Sequence, residues 1–482
     1  MTKVIKIVTI VSCFLLSIHA NAEKLDLETA IKKLINYYPT LKIAQLKMQQ
    51  ANLEIDSVKS QLSWDLNGSV GVSHDVSAFS TPYDRFEAAA NISRKLESGH
   101  SMGVSGRYQY SDDSFVLNNS FPNPSESLNL DLNYRVPLGR GEGNNGYQQS
   151  LAIAEMQKNI EALNKKEILK ALTQQVVNLF YDIDNTEQRL IYTESSIKRS
   201  KRLRNYISRN MELGIYEEKD ILESEAQMLK VIAEKENLIL ALDGQKHVLR
   251  KLLGINIGVP INLIDTAVSS SNGTEDELLM LAENDSPILQ IKKYLLDISD
   301  AKIISGMDVN SAQKDIVFSV GARSLYGDSS SGNVSEEDYA AQLRFEYNYD
   351  LGNKSYTSKI GKIKKEKNIA IEDLRLSKNE VKYTLNSLLD KINRQKIVKG
   401  RLRQHKEISQ KKYNEAMRRY KKGRIDTTDL IRFENDLHIV SLDYVSSDIN
   451  LSHSQVNLAL LTGNLWASLG MRDIVDNIGK AQ

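Results

Sequence analysis

Gly141-Glu142-Gly143-Asn144-Asn145-Gly146 has the GxGxxG spacing whose backbone amides, opening a helix, cradle a dinucleotide pyrophosphate. A nucleotide-binding strand is buried on both faces and nearly all apolar. The strand leading into this loop alternates, and the helix after it is far too long for a compact crossover. The sequence therefore reads the motif as a flexible turn. His74, His100, His247, His405, His438 and His453 are scattered, and no pair has the i, i+4 spacing of a zinc-binding helix. Glu223 and Glu225 sit two apart on a helix and do not share a face. No triad or acid/base pair can be assembled, so the expectation is no enzyme, no cofactor and no metal.

The one cysteine, Cys13, falls in an N-terminal segment with the order of a secretory signal: Lys3 and Lys6, an apolar run from Ile7 to Ile18, then Ala20-Asn21-Ala22. The run of about 12 residues is below the roughly 18 that span a bilayer, so cleavage after Ala22 is expected. Ile10-Val11-Ser12-Cys13 is the alternative, a poor lipoprotein box with acylation at Cys13. Cleavage removes the only thiol, and with it disulfides, thiolate catalysis and Cys-based metal sites. It also takes 63 basic residues to 61 against 62 acidic ones, moving the net charge from +1 to −1. That balance lacks the basic footprint of a nucleic-acid binder. No other stretch approaches a transmembrane helix, so entry into a membrane would require a closed barrel.

The elements that must carry these residues come twice. Pro39-Thr40-Leu41-Lys42-Ile43 through Ala51-Asn52-Leu53-Glu54-Ile55 aligns without gaps with Pro287-Ile288-Leu289-Gln290-Ile291 through Ser299-Asp300-Ala301-Lys302-Ile303. Pro137-Leu138-Gly139 then corresponds to Asp350-Leu351-Gly352. Leu213-Gly214-Ile215 with Asp220-Ile221-Leu222 corresponds to Lys422-Gly423-Arg424 with Asp429-Leu430-Ile431, and Leu252-Leu253-Gly254 to Leu461-Thr462-Gly463. Pairings in one order mark an internal repeat. Each half then holds an amphipathic helix, a strand region, a very long helix, a turn and a returning helix.

The strand regions alternate with period two. Leu128, Leu130, Leu132, Tyr134 and Val136 oppose Asn129, Asp131, Asn133 and Arg135. Trp64, Leu66, Val70 and Val72 oppose Asp65, Asn67, Ser69 and Ser73, and Tyr339, Ala341, Leu343, Phe345 and Tyr347 oppose Gln342, Arg344, Glu346 and Asn348. Strands of about 10 residues, apolar outward and polar inward, suit a membrane barrel with a wet lumen. A soluble sheet with one solvated face has the same pattern. Between Tyr147 and Leu213 there is no glycine or proline. Leu172, Val176, Leu179, Ile183, Leu190 and Ile197 recur there as a coiled-coil seam, with threonines at two heptad positions. Such a helix is about 100 Å long. A second runs from about Ser355 to Tyr420, with Ile363, Ala370, Leu374, Val381, Leu388 and Ile392 on its seam. Charged faces such as Lys198-Arg199-Ser200-Lys201-Arg202 are expected to face water.

The chain resembles the TolC-type outer-membrane factors, from Leu25-Asp26-Leu27-Glu28-Thr29-Ala30 and Asn36-Tyr37-Tyr38-Pro39 through Val136-Pro137-Leu138-Gly139 to the paired Gly and Asp turns and Leu252-Leu253-Gly254. The resemblance implies an α+β membrane protein: a trimeric outer-membrane β-barrel continued by a long α-helical coiled-coil periplasmic tunnel, with two structural repeats per chain. On that reading residues 1–22 are the signal peptide, 23–254 the first repeat, 255–274 a linker, 275–463 the second repeat and 464–482 a C-terminal tail. The implied function is a passive export duct, the outer-membrane channel subunit of a tripartite efflux pump or type I secretion system. Its partners would be two further copies, a periplasmic adaptor, an inner-membrane transporter and outer-membrane lipid. A periplasmic or surface coiled-coil scaffold without channel activity is the alternative.

The resemblance also implies a periplasmic gate. The turns Gly214 to Asp220 and Gly423 to Asp429 would mark the mouth, with Asp429 in an acidic ring and Tyr420 holding the mouth closed. Arg432 stands where the family has a second ring aspartate, and Ile425 beside Arg424 where it has an arginine, so the closing network departs from the pattern. Asp220 and Asp429 read equally as residues that begin the returning helices, where the dipole favours negative charge. One further departure lies in the first half, where alternating segments around Phe86 to Leu96 and Met102 to Tyr110, joined by Glu97-Ser98-Gly99-His100, add a hairpin to the two strands usual in the family. That hairpin would widen the usual 12-stranded barrel toward 18 strands in a trimer, or pack elsewhere.

Overall fold

Proline at a first helical turn and glycine just past a last one are local signals that need no tertiary support, and both bound helices here. In the computed structural model, which describes residues 23–76, 82–113, 122–264, 273–329, 331–349 and 354–474, the first half of the chain forms β1 (Glu23–Leu25), α1 (Leu27–Tyr37) and α2 (Pro39–Ser60). Four strands follow, β2 (Trp64–Asp75), β3 (Tyr83–Lys95), β4 (Ser101–Asp113) and β5 (Ser125–Pro137), then the helices α3 (Asn145–Met211) and α4 (Glu218–Leu253). The second half forms β6 (Ile261–Leu263), α5 (Glu275–Asp285), α6 (Pro287–Asn310), β7 (Gln313–Ser329), β8 (Gly332–Asn348), α7 (Lys354–Tyr420), α8 (Thr427–Leu461) and α9 (Asn464–Ser468). Helices α3 and α7 have 67 residues each, about 100 Å at 1.5 Å per residue. The signal segment with Cys13, the Asp350-Leu351-Gly352 end of the second strand region and the last part of the C-terminal tail lie outside the described residues.

The chain forms two compact units. One takes the residues through Gln45, Ala162–Leu289 and the residues from Leu376 onward. Its main core gathers Leu27, Ile31 and Leu34 of α1, Val176, Phe180 and Ile183 of α3, Leu249 and Leu253 of α4, Val456 and Leu460 of α8, and Trp466 of α9. The Asp26 carboxylate caps α1, accepting from the Thr29 N–H at 2.7 Å, and hydrogen bonds from the Thr29 side chain and N–H together hold its pKa below the usual carboxylate range. Gly254 ends α4 at φ +68°. A Cβ there would run into the Tyr37 ring, so both backbone freedom and space require glycine. The segment expected as a linker contains β6, paired in parallel with β1 from Glu23↔Ile261 to Leu25↔Leu263. Trp466 and Met471, in the expected tail, are buried in the core.

The coiled-coil seam differs from its sequence reading. The fully or nearly buried row of α3 in this unit is Leu169, Thr173, Val176, Phe180, Ile183, Thr186, Thr193, Ser196, Ser200, Leu203 and Ile207. Leu172, Leu179, Leu190 and Ile197 are only half-buried. Thr186 Oγ1 donates to the helix's own Asp182 O at 2.9 Å and Ser196 Oγ to Glu434 at 2.7 Å, and side chains this small let neighbouring helices approach closely; Thr173, Ser196 and Ser200 lie outside the seam read from the sequence. On α7, Leu385 and Ile392 are buried, while Leu374, Val381 and Leu388 are half-buried.

The other unit, Leu46–Glu161 with Gln290–Arg375, is built on a six-stranded antiparallel sheet in the order β2-β3-β4-β5-β7-β8. The two additional alternating segments are β3 and β4, and they sit inside this sheet between β2 and β5. Strand β7 went unread in the sequence, because the run Ile316-Val317-Phe318 masks its alternation. In this unit Ile55 and Val58 of α2 pack on Ala154 of α3, and Lys292–Asp373 and Lys367–Asp300 ion pairs at 3.1 and 2.6 Å join α6 to α7.

Phe180 is fully buried in the main core, so Phe180→Ala is expected to cost about 3–5 kcal/mol. The check is the denaturant midpoint of the helical circular-dichroism signal, and an unchanged midpoint would show that this core does not hold the helices together.

Candidate functional site

Two arrangements carry the functional reading, one in each unit. In the sheet, side chains directly opposite each other share a face. The register sets Leu66, Ile92, Val104, Leu132, Val320 and Ala341 side by side. Toward one end of the same face come Trp64, Tyr134, Phe318 and Phe345, and toward the other Phe86, Tyr110 and Tyr326. The face is apolar yet uncovered, with Leu66 at 68%, Val72 at 81% and Leu343 at 73% exposure. From Trp64 to Val72 is about 27 Å at 3.4 Å per residue.

The opposite face is polar. Arg107 pairs with Glu87 at 3.2 Å and Arg135 with Glu346 at 2.9 Å. Asp315, 3% exposed, lies 3.6 Å from Arg135 and accepts from Gln313 Nε2 at 2.7 Å. Cavities of 760 and 570 Å³ open on this face, lined among others by Lys95, Arg135, Asn67 and Asp131. The Gly141–Gly146 loop belongs to this unit too. Gly141, at φ +87°, donates its N–H to the Asp308 carboxylate at 3.3 Å, and Asn144 Nδ2 donates to Leu96 O at 3.3 Å. The Gly141 amide is thus taken by a carboxylate of the chain itself.

In the helical unit the α3–α4 and α7–α8 turns are built alike. Gly214 (φ +70°) donates to Met211 O at 2.9 Å and Ile215 to Asn210 O at 3.0 Å. Gly423 (φ +65°) donates to Tyr420 O at 2.8 Å and Arg424 to Arg419 O at 3.0 Å. These are left-handed helix ends that only glycine takes without strain. Beyond them Asp220 accepts from the Glu217 N–H at 3.1 Å. Asp426, not Asp429, caps α8, accepting from the Asp429 N–H at 2.7 Å. The Asp429 carboxylate pairs with Arg432 at 3.0 Å, both partly exposed. The Arg424 side chain is exposed, and its part in the turn is played by its backbone N–H.

Tyr420 is 1% exposed and stacks on Tyr216, ring centroids 5.5 Å apart, with Tyr206 at 5.9 Å. Its hydroxyl is 2.9 Å from Thr427 Oγ1. Burial pushes the Tyr216 and Tyr420 phenols up, so both stay neutral. Thr428 Oγ1 donates to Glu223 at 3.0 Å, tying α8 to α4. Further along, buried Glu434 accepts from Ser196 at 2.7 Å and pairs with Arg199 at 3.0 Å. Arg199 is therefore not a water-facing charge as the sequence suggested. Of the sequence candidates, the structure joins Asp429 to Arg432 and sets Tyr420 in an aromatic cluster. Tyr206, Tyr216, Asp426 and Thr427 were missed, although Asp426 ahead of an apolar-periodic stretch carried a helix-start signal.

A sheet with one uncovered apolar face and one polar face, in a chain of exceptionally long helices, defines a class of fold that solved structures share. The structure is similar to that of the outer-membrane channel OprN, with a TM-score of 0.69 and 14% identity over 91% of this chain and 90% of that one. It is similar also to the outer-membrane protein VceC of Vibrio cholerae (0.66, 12%, covering 92% and 96%) and to the CmeC outer-membrane channel of Campylobacter jejuni (0.66, 11%, covering 94% and 89%). The fold is that of the TolC-type outer-membrane factors. No protein-family description and no curated protein matches the sequence.

Tyr420→Phe should cost about 1 kcal/mol, the loss of its hydroxyl's hydrogen bonds to Thr427 and Tyr216 with the ring kept in place. Tyr420→Ala should cost about 3–5 kcal/mol, because it also removes the ring from the cluster. Hydrogen exchange of the Gly423 turn amides distinguishes them, and equal losses would show that stacking contributes nothing.

Proposed function

We propose that this chain is an outer-membrane channel subunit and not an enzyme: a passive duct through which solutes leave the cell by a tripartite efflux pump or type I secretion system. The observation that carries the reading is the uncovered apolar face of the sheet. Its length of about 27 Å along a strand, about 21 Å of height at a tilt of about 40°, is close to the roughly 25 Å hydrocarbon band of outer-membrane barrels, and its aromatic residues gather toward both ends, as interfacial girdles do. Strands β2 and β8 end the sheet with open edges, which hydrocarbon does not tolerate, so the barrel has to close through further copies. We take these to be a homotrimer, with the duplicated strand-helix-helix halves (23–254 and 275–463) giving each copy a share of the barrel and of a helical periplasmic tunnel. A periplasmic adaptor and an inner-membrane transporter would complete the path. VceC, CmeC and OprN, similar in fold, support an outer-membrane location.

Within this reading, the Gly214 and Gly423 turns form the periplasmic mouth. Tyr420 clasps it, Asp220 secures α4, and three Asp429 carboxylates, each beside its Arg432, ring the axis near Arg424.

The mature protein should fractionate with the outer membrane as a trimer, and a stable water-soluble monomer obtained without detergent would refute the channel. Leu130→Arg should hinder assembly by about 2–4 kcal/mol, whereas Asp131→Asn on the polar face should be tolerated. Equal assembly of both would reverse the assignment of faces. Asp429→Ala should weaken block of single-channel conductance by multivalent cations. Unchanged block with lower stability would leave Asp429 only its place at the start of α8.

A further inference from the structure

The β3–β4 hairpin is built as wall. It is hydrogen-bonded to β2 from Trp64↔Arg94 to Asp75↔Tyr83 and to β5 from Ser101↔Arg135 to Ser111↔Ser125. Its faces match the sheet: Phe86, Ile92 and Val104 continue the apolar side, and Asn91, Ser105 and Arg107 the polar one. Without the hairpin the sheet would still be sound. Strands β2 and β5 would meet antiparallel, and Leu66 and Leu132, now in one row across the hairpin, would stay on one face. The hairpin therefore adds two strands to a sheet that does not need them for pairing or polarity.

Resting on the channel reading above, we infer that this hairpin sets the bore: three copies close an eighteen-stranded barrel in place of a twelve-stranded one, and the substrates are bulky solutes that a twelve-stranded pore excludes. Strands about 4.8 Å apart and tilted about 40° give about 36 Å between facing backbones for eighteen strands and about 24 Å for twelve. Small residues, Ser93, Gly103, Ser105, Ser319, Gly321 and Ala340, leave room on the polar face between longer side chains such as Arg107, Arg135 and Arg344. The ion pairs Arg107–Glu87 and Arg135–Glu346 neutralise part of this face.

Ser319 lies on the polar face of β7, outside the hairpin. A spin label at Ser319→Cys, in a chain with Cys13→Ser, should show a separation between copies of about 31 Å if eighteen strands close the ring and about 21 Å if twelve do. Separately, removal of Tyr83–Asp113 with one flanking loop joins β2 to β5. The largest polyethylene glycol that lowers single-channel conductance from the hairpin-loop side should be about 1.5-fold wider for the full chain than for this variant. A separation near 21 Å, or equal polymer limits in two conducting proteins, would overturn the inference and leave the channel standing. If the full chain neither conducts nor shows a separation between copies, the channel reading itself fails. The spin-label measurement needs no deletion, so misfolding of the shortened chain does not weaken the test.

Discussion

Every backbone N–H and C=O along a strand needs a partner, and in this chain the outer edges of β2 and β8 have none among the described residues. Charged and bulged edges are the usual protection in soluble sheets, but β2 offers Leu66, Val70 and Val72 on an uncovered face beside its open edge. A sheet left so in water would aggregate. Under the proposed channel reading, hydrocarbon on one side and the same sheet from another copy at each edge would answer both the apolar face and the open edges. The polar face then has to be wet, which its balanced ion pairs and small side chains allow.

The helical unit solves a different problem, holding very long helices in one register. Burial alone would let such helices slide, because an aliphatic seam repeats every heptad. Specific groups break that degeneracy: the Glu434–Arg199–Ser196 cluster between α8 and α3, the Gln227–Asn435 pair at 2.5 Å and the His438–Glu234 contact at 2.9 Å between α8 and α4. A buried ion pair adds little net stability, but only one alignment satisfies it. The tyrosine cluster does the same work at the two turns, since the Tyr216 and Tyr420 rings stack only when α3–α4 and α7–α8 end level.

The sequence by itself determined what depends on short-range periodicity and backbone chemistry. Period-two alternation separated the apolar from the polar residues of β2, β5 and β8, and glycine at 214, 254 and 423 marked helix ends because only a residue without a Cβ takes that conformation cheaply. Absence of glycine and proline announced the first long helix to within two residues at each end, and the internal repeat announced the second, which carries Gly361 and Gly400. The sequence could not determine which residues of α3 are buried. Burial depends on several neighbouring helices at once, so Ser196 and Ser200, outside the seam as read, took core positions while Leu190 and Ile197 stayed half-buried. Partners distant in sequence, Tyr216 with Tyr420 and Glu434 with Arg199, were equally out of reach. The place of the β3–β4 hairpin was decided only in the folded sheet, because alternation states which face a strand shows and not which strands it lies between.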